Sequence, residues 1–207
     1  YLVNDMRYLM AMADHLGRVD EAEQWARRAQ ALADPVNEHL WDETDGFYYD
    51  RTERGEPVRI MTAAGFLPLF AGIPDERRAE RLLEHLLDPG KFWTPFPVPS
   101  VAVDEPCFEP DMWRGPTWVN VDLLIVLGLR RYAFADVARE LTGKVLAGIE
   151  HWYCMEGAIY EFYDTFSRTA PALLDRKQRL CTDQGLAPIA DYNGSAACYL
   201  ALATGSV

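Results

Sequence analysis

A glutamate stands among aromatic residues in the segment GAIYEFYD, residues 157–164. If this segment is an extended strand, side-chain alternation puts Ile159 and Tyr163 on the same face as Glu161. Apolar neighbours change how readily a carboxylate takes up or releases a proton, which is the property that general acids and bases require. In an exposed strand the same glutamate would simply point to water. Glu161 is therefore the first candidate for a catalytic residue, with a solvent-exposed role as the alternative.

The segment DGFYYD, residues 45–50, has a similar arrangement without an acid among its aromatic residues. Both segments follow a long helical pattern and combine a glycine, aromatic residues and a Tyr-Asp pair. Each is typical of a short extended segment that leads the chain back from the end of a helix. We call these two segments the aromatic returns. Because the earlier segment has Phe47 and no carboxylate between its aromatic residues, the return itself does not require an acid.

A second candidate region is FEPDMWRGPTWVN, residues 108–120, in which two tryptophans flank an arginine and a Gly-Pro pair. Aromatic rings stack on the C–H faces of sugars, and a guanidinium group donates hydrogen bonds in a rigid fork. Trp113, Arg114 and Trp118 therefore suit a polyhydroxylated ligand. The alternative is a core tryptophan pair with a surface arginine.

The remaining polar residues give no sign of a metal or a cofactor. The acids near the second region lack the ordered spacing of an EF-hand loop: Asp104, Glu105, Glu109 and Asp111. The histidines have no H-E-x-x-H or catalytic-triad context, so we expect structural roles for them: His15, His39, His85 and His151. The cysteines form no C-x-x-C pair and are typical of free thiols in a reducing cytoplasm: Cys107, Cys154, Cys181 and Cys198. We therefore predict a cytoplasmic protein with no metal and no cofactor.

The overall composition restricts the class of partner. A formal charge of −12 argues against nucleic acid, which requires a basic face, and against an anionic membrane surface. A neutral carbohydrate is compatible with this charge. At 207 residues the chain is long enough for one domain. Helical periodicity begins at Leu2 with no capping residue ahead of it, so we expect a single, partial domain over residues 1–207.

Apolar periodicity predicts a series of helices. They cover residues 2–16, about 20–40, 61–71, 74–87, 116–132, 135–150 and 194–203. Asp20 and Glu23 form a candidate capping box, and Pro35 is expected to kink or split its helix. Residues 88–117 hold seven of the thirteen prolines and show no periodicity. A loop of that length is typical of a functional region.

This order of elements predicts an all-α fold of αα-hairpins with short β-like aromatic returns and one long Pro-rich loop. Solenoids and α/α toroids both fit the order. The helices lack a fixed repeat length, which argues against a regular solenoid. In a toroid, loops at one end of the ring build a deep pocket, so the toroid is the favoured architecture.

Five segments in this order resemble the C-terminal half of glycoside hydrolase family 63 and its bacterial relatives: LWDETDGFYYD, AGFLPLFAGIP, FWTPFPVPSV, MWRGPTWVN and IYEFYD. These relatives include glucosylglycerate and mannosylglycerate hydrolases, with processing α-glucosidases and trehalases as more distant members. The resemblance covers about residues 1–163. It implies an (α/α)6 toroid and an inverting hydrolase of α-glucosides or α-mannosides that uses two carboxylates.

The same resemblance implies roles for individual residues. Glu161 matches the general base in the family's Y-E-x-Y-[ND] motif. The residues that match the sugar-binding pocket are Trp113, Arg114, Gly115, Trp118 and Tyr160. The family's general acid, an aspartate in a W-D-x-S-P-like motif, has no counterpart here and is expected upstream of Tyr1. The isolated chain is therefore expected to be inactive. The region after Asp164 departs from the family pattern, which leaves the substrate subsites open.

Two other classes of protein remain compatible with the sequence. A non-catalytic sugar-binding or protein-interaction domain of α-hairpins would keep the aromatic residues without needing an acid at position 161. Another α/α-toroid enzyme, such as a sugar epimerase, would use histidines or differently placed acid–base pairs. The histidines of this chain have no such setting.

Overall fold

The computed structural model describes residues 1–176 and 187–205. Within these ranges the chain is mostly helical, which confirms the predicted helical class. The α-helices are α1 (Leu2–His15), α2 (Val19–Pro35), α3 (Leu67–Ala71), α4 (Glu76–Leu86), α5 (Val119–Arg131), α6 (Ala135–Glu156) and α7 (Asn193–Thr204). The strands are β1 (Trp41–Asp42), β2 (Phe47–Tyr48), β3 (Asp50–Arg51) and β4 (Pro57–Val58). None of the described helices has the length and hydropathy needed to cross a membrane.

The helices pack both against sequence neighbours and across longer separations in the chain. α1 packs against α2, and α5 packs against α3, α6 and α7. The contact between the first hairpin and α3 is made by small buried residues, among them Ala29, Ala33 and Ala71. Exposed apolar side chains lie on α1 and at the residue that follows it: Leu2, Tyr8, Leu9, Met12 and Leu16. A second set of exposed apolar side chains lies on α6 and α7: Tyr153, Met155 and Leu200.

The start of α2 differs from the prediction, whereas its end agrees. α2 begins at Val19 with no side-chain hydrogen bond at its N-terminus, so the predicted capping box of Asp20 and Glu23 is wrong. Asp20 instead lies in the first turn, where its charge interacts favourably with the helix dipole. α2 ends at Pro35, and the chain continues as a π-helical turn, Val36–Leu40. This confirms the predicted split. Its physical reason is that proline has no N–H to donate within a helix.

The segment DGFYYD forms one side of a small antiparallel hairpin. Strands β1 and β2 pair with Trp41 opposite Tyr48, which confirms the extended return. Phe47 is completely buried. Its ring meets the rings of Phe66 and Phe92 at centroid distances of 5.3 and 6.1 Å. This aromatic group forms part of the main hydrophobic core.

The predicted helices over residues 61–71 and 74–87 are present with short irregular starts. A 3-10 turn, Ala63–Phe66, leads directly into α3. Pro68 lies in the first turn of α3, where the missing N–H would have no partner within the helix. α4 begins after Asp75, whose carboxylate accepts the N–H of Arg78 at 2.8 Å.

The segment between α4 and α5 contains isolated bridges but no helix and no paired strand, as predicted. It is held by the backbone carbonyl of Phe96. The hydroxyls of Thr94, Thr117 and Thr165 lie 3.1, 2.7 and 3.0 Å from that oxygen. These three buried residues are the threonine cluster. The hydroxyls of Thr94 and Thr165 are also 2.7 Å apart. Because each hydroxyl has one proton, Thr117 and one of the other two donate to the carbonyl, and the third donates to its neighbour.

The later helices differ from the prediction at their ends. α5 begins at Val119 rather than at Pro116, because Thr117 is extended and bridged to Pro99 and Tyr163. α6 continues beyond its predicted end at residue 150 and stops at Gly157, whose φ of 73° ends the helix in the left-handed region. α7 lies where it was predicted.

Part of the region after Asp164 that departs from the family pattern, residues 177–186 with Cys181, lies outside the described residues. The three cysteines that the structure describes, Cys107, Cys154 and Cys198, are free thiols.

Candidate active site

The segment around Glu161 is extended, but it is not a regular strand. Among the described residues, its ladder contact joins Tyr163 to Thr117, with N–H···O distances of 2.8 and 3.1 Å. The backbone bends at Glu161. As a result Tyr160 and Tyr163 both belong to the main core, whereas Phe162 packs in a separate small cluster with Trp118. The strict alternation of faces predicted for this segment is therefore wrong.

The Glu161 carboxylate is buried, with 5% of the residue exposed. Its Oε2 accepts the Arg176 Nε–H at 2.7 Å and the N–H of Ile189 at 3.4 Å. Its Oε1 lies 3.4 Å from Arg176 Nη2. The backbone of Glu161 is also held, because its N–H donates to the Ile189 carbonyl at 3.0 Å and Ser195 Oγ lies 3.4 Å from its carbonyl. The carboxylate is thus fixed in one orientation by a cation and by the chain leading into α7.

The two predicted tryptophans form one stacked pair. The rings of Trp113 and Trp118 are nearly parallel, with an interplanar angle of 5° and centroids 3.7 Å apart. Trp118 is buried, its ring meets that of Phe162 at 5.1 Å, and its Nε1–H donates to the Met112 carbonyl at 2.9 Å. Trp113 is 47% exposed. Trp118 therefore supports Trp113 from below, and Trp113 offers the ring face that a ligand can reach.

Arg114 is paired with two acids of its own loop. Its Nη2 lies 2.7 Å from Asp111 Oδ2 and 2.8 Å from Glu109 Oε2. The hydrogen bond to Asp111, together with the charges of Glu109 and Asp111, raises the pKa of the Arg114 guanidinium above its ordinary value. The loop is closed further by the N–H of Glu109, which donates to the Arg114 carbonyl at 2.7 Å. Arg114 consequently organises the loop that carries Trp113.

Gly115 is required by a close approach of backbone. A Cβ atom at this position would lie 2.3 Å from the carbonyl oxygen of Glu109. Its N–H donates to Ser100 Oγ at 3.0 Å, which attaches this turn to an earlier part of the same Pro-rich loop. Any larger residue at position 115 would push its backbone away from that of Glu109.

Tyr160 lies in the core behind the site. Its N–H donates to the hydroxyl of Tyr163 at 2.9 Å. The interaction of its hydroxyl with the Glu156 carboxylate at the end of α6, together with burial, raises the pKa of Tyr160 to about 12. The hydroxyl is therefore directed towards α6.

The segment 171–176, which follows the second aromatic return, joins the two candidate regions. Asp175 forms a parallel bridge with Asp111, and its carbonyl accepts the N–H of Met112 at 3.2 Å. Leu174 packs with Trp118 and Phe162. The structure thus brings Glu161, the stacked tryptophans and the Arg114 loop into one region.

Sequence reasoning missed two residues of this region. Arg176 was missed because it lies in a stretch without periodicity, and nothing in its local sequence indicates a contact with Glu161. Asp164 was also missed. It accepts the N–H groups of Phe166, Arg168 and Thr169 at 3.1, 2.8 and 2.9 Å. The pattern of an aspartate followed by Thr-Phe-Ser is typical of such a turn and could have indicated this role.

The acids near the site bind protein donors. Glu105 Oε1 accepts the N–H of Met61 at 2.8 Å, and Glu109 and Asp111 bind Arg114. Within residues 1–176 and 187–205 no group of histidine, cysteine or acidic side chains is arranged to hold a metal ion. His85 makes a structural hydrogen bond: its Nε2 lies 2.8 Å from the Asp45 carbonyl oxygen, which accepts.

Comparisons with known proteins identify the family. Residues 1–170 match the model of the mannosylglycerate hydrolase MGH1-like glycoside hydrolase domain. A mannosylglycerate hydrolase from Thermus thermophilus is 40% identical over 146 residues, which are 70% of this chain and 33% of that protein. An uncharacterised protein from Borreliella burgdorferi is 30% identical over 206 residues, 97% of this chain and 41% of its own length.

A solved structure shows the same fold. It is the GH63 mannosylglycerate hydrolase from Thermus thermophilus in complex with glucose, which is 34% identical to this chain with a TM-score of 0.71. The match covers 97% of this chain and 44% of that one. The chain therefore spans less than half the length of these relatives. By sequence and by fold it belongs to the mannosylglycerate hydrolase MGH1-like family of glycoside hydrolases.

Proposed function

We propose that this chain is the C-terminal part of an inverting glycoside hydrolase that acts on a small α-glucoside or α-mannoside, with Glu161 as the general base. The observation that carries the proposal is a buried carboxylate held by Arg176. Its sequence neighbour Phe162 packs against Trp118, which supports the exposed ring of Trp113. The names of the relatives support the substrate class, because they hydrolyse mannosylglycerate and one was solved with glucose.

In the proposed mechanism Glu161 removes a proton from a water molecule that attacks the anomeric carbon. A carboxylic acid outside this chain protonates the leaving oxygen from the opposite side of the sugar. Inverting enzymes keep these carboxyl groups roughly 6.5–9.5 Å apart, which leaves space for the water. Trp113 stacks against the sugar ring, while Arg114 and Gly115 hold the loop that presents it. Trp118 supports that stack, and Tyr160 supports the segment that carries the base.

The proposed whole domain is an (α/α)6 toroid of which this chain forms one part. The share of the relatives' length that the chain spans supports this, since it is 41% and 44% in the two matches that cover nearly all of the chain. The exposed apolar faces of α1 and of α6 and α7 also support it, because soluble domains rarely leave such surfaces uncovered. The isolated chain, lacking the acid, should not hydrolyse glycosides. The free thiols support the proposed cytoplasmic location.

Replacement of Glu161 by glutamine tests the proposal in the full-length protein. The Glu161→Gln variant should lose turnover of mannosylglycerate or glucosylglycerate by at least about a hundredfold, because an amide cannot accept the proton. Sugar binding, measured by calorimetry, should persist. Glu140→Gln, an exposed change on α6, is the matched control. Proton NMR of the wild-type reaction should show the β-anomer as the first product. Unimpaired hydrolysis by Glu161→Gln would refute the assignment.

A sugar-binding domain without catalysis is the second candidate function. The observation that favours it is the 47% exposure of Trp113 on a rigid stack, which suits binding whether or not Glu161 reacts. For that function, Glu161→Gln would bind sugar normally and the wild-type full-length protein would release no product.

A further inference from the structure

We propose that Arg176 is a positioning residue for the general base: it fixes one oxygen of the Glu161 carboxylate and leaves the other to accept the proton from water. This inference rests on the proposed role of Glu161. Arg176 lies outside the matched family model, which ends at residue 170.

The contacts of the two carboxylate oxygens are unequal. Oε2 has the 2.7 Å contact with Arg176 Nε and the 3.4 Å contact with the N–H of Ile189. The first of these distances is that of a strong charge-assisted hydrogen bond. Among the described residues, Oε1 has only the 3.4 Å contact with Arg176 Nη2. A carboxylate oxygen has two lone pairs, so Oε2 is occupied by donors while Oε1 retains capacity for a water molecule.

Arg176 is delivered to the carboxylate by a braced segment of chain. Leu174 is 4% exposed and packs with Trp118 and Phe162. The carbonyl of Asp175 accepts the N–H of Met112 at 3.2 Å. The position of the guanidinium group is therefore set by the same aromatic stack that supports the proposed sugar platform. A shift of the tryptophans would move Arg176 and, through it, the base.

Because Glu161 and Arg176 are largely buried, the loss of either one strongly affects the other. The side chain of Glu161 is 6% exposed and that of Arg176 is 23% exposed. When one partner of such a pair is removed, the other is left as a buried charge without an opposite charge to compensate it. A carboxylate that loses Arg176 would reorient towards other donors, and small misplacements of a catalytic group lower the rate strongly.

Steady-state kinetics of the full-length protein test this inference. Arg176→Gln should lower kcat about tenfold or more and change KM by less than about threefold, because the sugar contacts remain while the base is misplaced. Arg176→Lys should fall between the variant and the wild type, since an ammonium group restores the charge but not the planar fork. Arg168→Gln, an exposed change in the same connection, is the matched control and should retain wild-type kcat.

Two further measurements separate positioning from a purely structural role. Added guanidinium chloride, below denaturing concentrations, should partly restore kcat of Arg176→Gln and have no such effect on the control. In a Glu161→Gln background, Arg176→Gln should produce no additional loss, because the two residues act as one unit. If Arg176→Gln fails to fold by circular dichroism, the rates of Arg176→Lys decide the question.

The outcomes distinguish this inference from the proposed function. If Glu161→Gln retains hydrolysis, the function itself is wrong. If Glu161→Gln is inactive while Arg176→Gln or Arg176→Lys keeps wild-type kcat, only the role of Arg176 is refuted. A rise in kcat/KM on removal of Arg176 would also refute positioning, since it would mean that the guanidinium blocks the base.

Discussion

Asp122 offers a stability test that is independent of catalysis. It lies in the first turn of α5 and is completely buried. Its Oδ1 accepts the N–H of Val98 at 2.9 Å, and its Oδ2 has no hydrogen-bond partner among the described residues. Burial raises the pKa of Asp122 well above its ordinary value, and the hydrogen bond from Val98 opposes this only in part. The native carboxyl therefore holds its proton at a pH where the unfolded chain has released it.

The sign and size of the effect follow from linkage. Below the unfolded pKa of about 3.9 both states are protonated, and this group imposes no pH dependence. Above it the native state binds one proton more than the unfolded state, so the free energy of unfolding falls by about 1.4 kcal/mol per pH unit until the native carboxyl ionises. Asp122→Asn cannot ionise, but it keeps an oxygen for the N–H of Val98. The variant should therefore gain stability relative to the wild type as the pH rises.

Urea denaturation at several pH values measures this gain. Between about pH 5 and about pH 7 the difference in unfolding free energy should widen by up to about 3 kcal/mol. With an m value of about 2 kcal/mol per molar urea, the midpoint difference grows by up to about 1.5 M. Asp136→Asn is the matched control, because Asp136 lies in the first turn of α6 with its side chain 91% exposed. Equal pH dependence of the two variants would refute a protonated Asp122.

Two further predictions concern the candidate site. Gly115→Ala should destabilise the chain by about 1–3 kcal/mol in urea denaturation, because its Cβ would lie 2.3 Å from the Glu109 carbonyl. Gly143→Ala, whose Cβ meets nothing within 4 Å on α6, should be neutral or stabilising by up to about 1 kcal/mol, and equal losses in both variants would contradict the packing argument. Trp113→Ala should weaken glucose binding by the full-length protein about fivefold, or about 1 kcal/mol, in calorimetry. The control Trp25→Ala on α2 should bind normally, and a Trp113→Ala variant with unchanged affinity would remove the proposed platform.

The helices that sequence periodicity predicted best are those in which an apolar stripe ends at a clear signal. α4 follows its capping residue Asp75, and α2 ends at Pro35. The prediction failed where a distant segment overrides the local preference. Thr117 follows a proline that favours a helix start, but its ladder contact with Tyr163 holds it extended. Such a contact is absent from any local pattern of residues.

The candidate site, like the helices, could be predicted from the sequence only in part. Glu161 and the two tryptophans were identified because their residue types are unusual for their surroundings. The stacking of Trp113 on Trp118 and the pairing of Arg114 with acids of its own loop depend on backbone turns that spacing alone does not specify. Asp122 carried no signal, because an acid in the first turn of a helix is ordinary on electrostatic grounds. Its burial depends on packing against the Pro-rich segment.

The threonine cluster also determines when the loop around Phe96 is fixed during folding. Thr94 follows α4, Thr117 precedes α5 and Thr165 follows α6, yet all three surround the carbonyl of Phe96. Contacts between such distant segments form only after their loops have closed, so they are late and slow compared with contacts within one helix. In the native chain, opening of this loop is unfavourable, because it breaks hydrogen bonds from three regions together. The amide protons of the loop around Phe96 should therefore exchange on the timescale of global unfolding rather than with those of the surface loops.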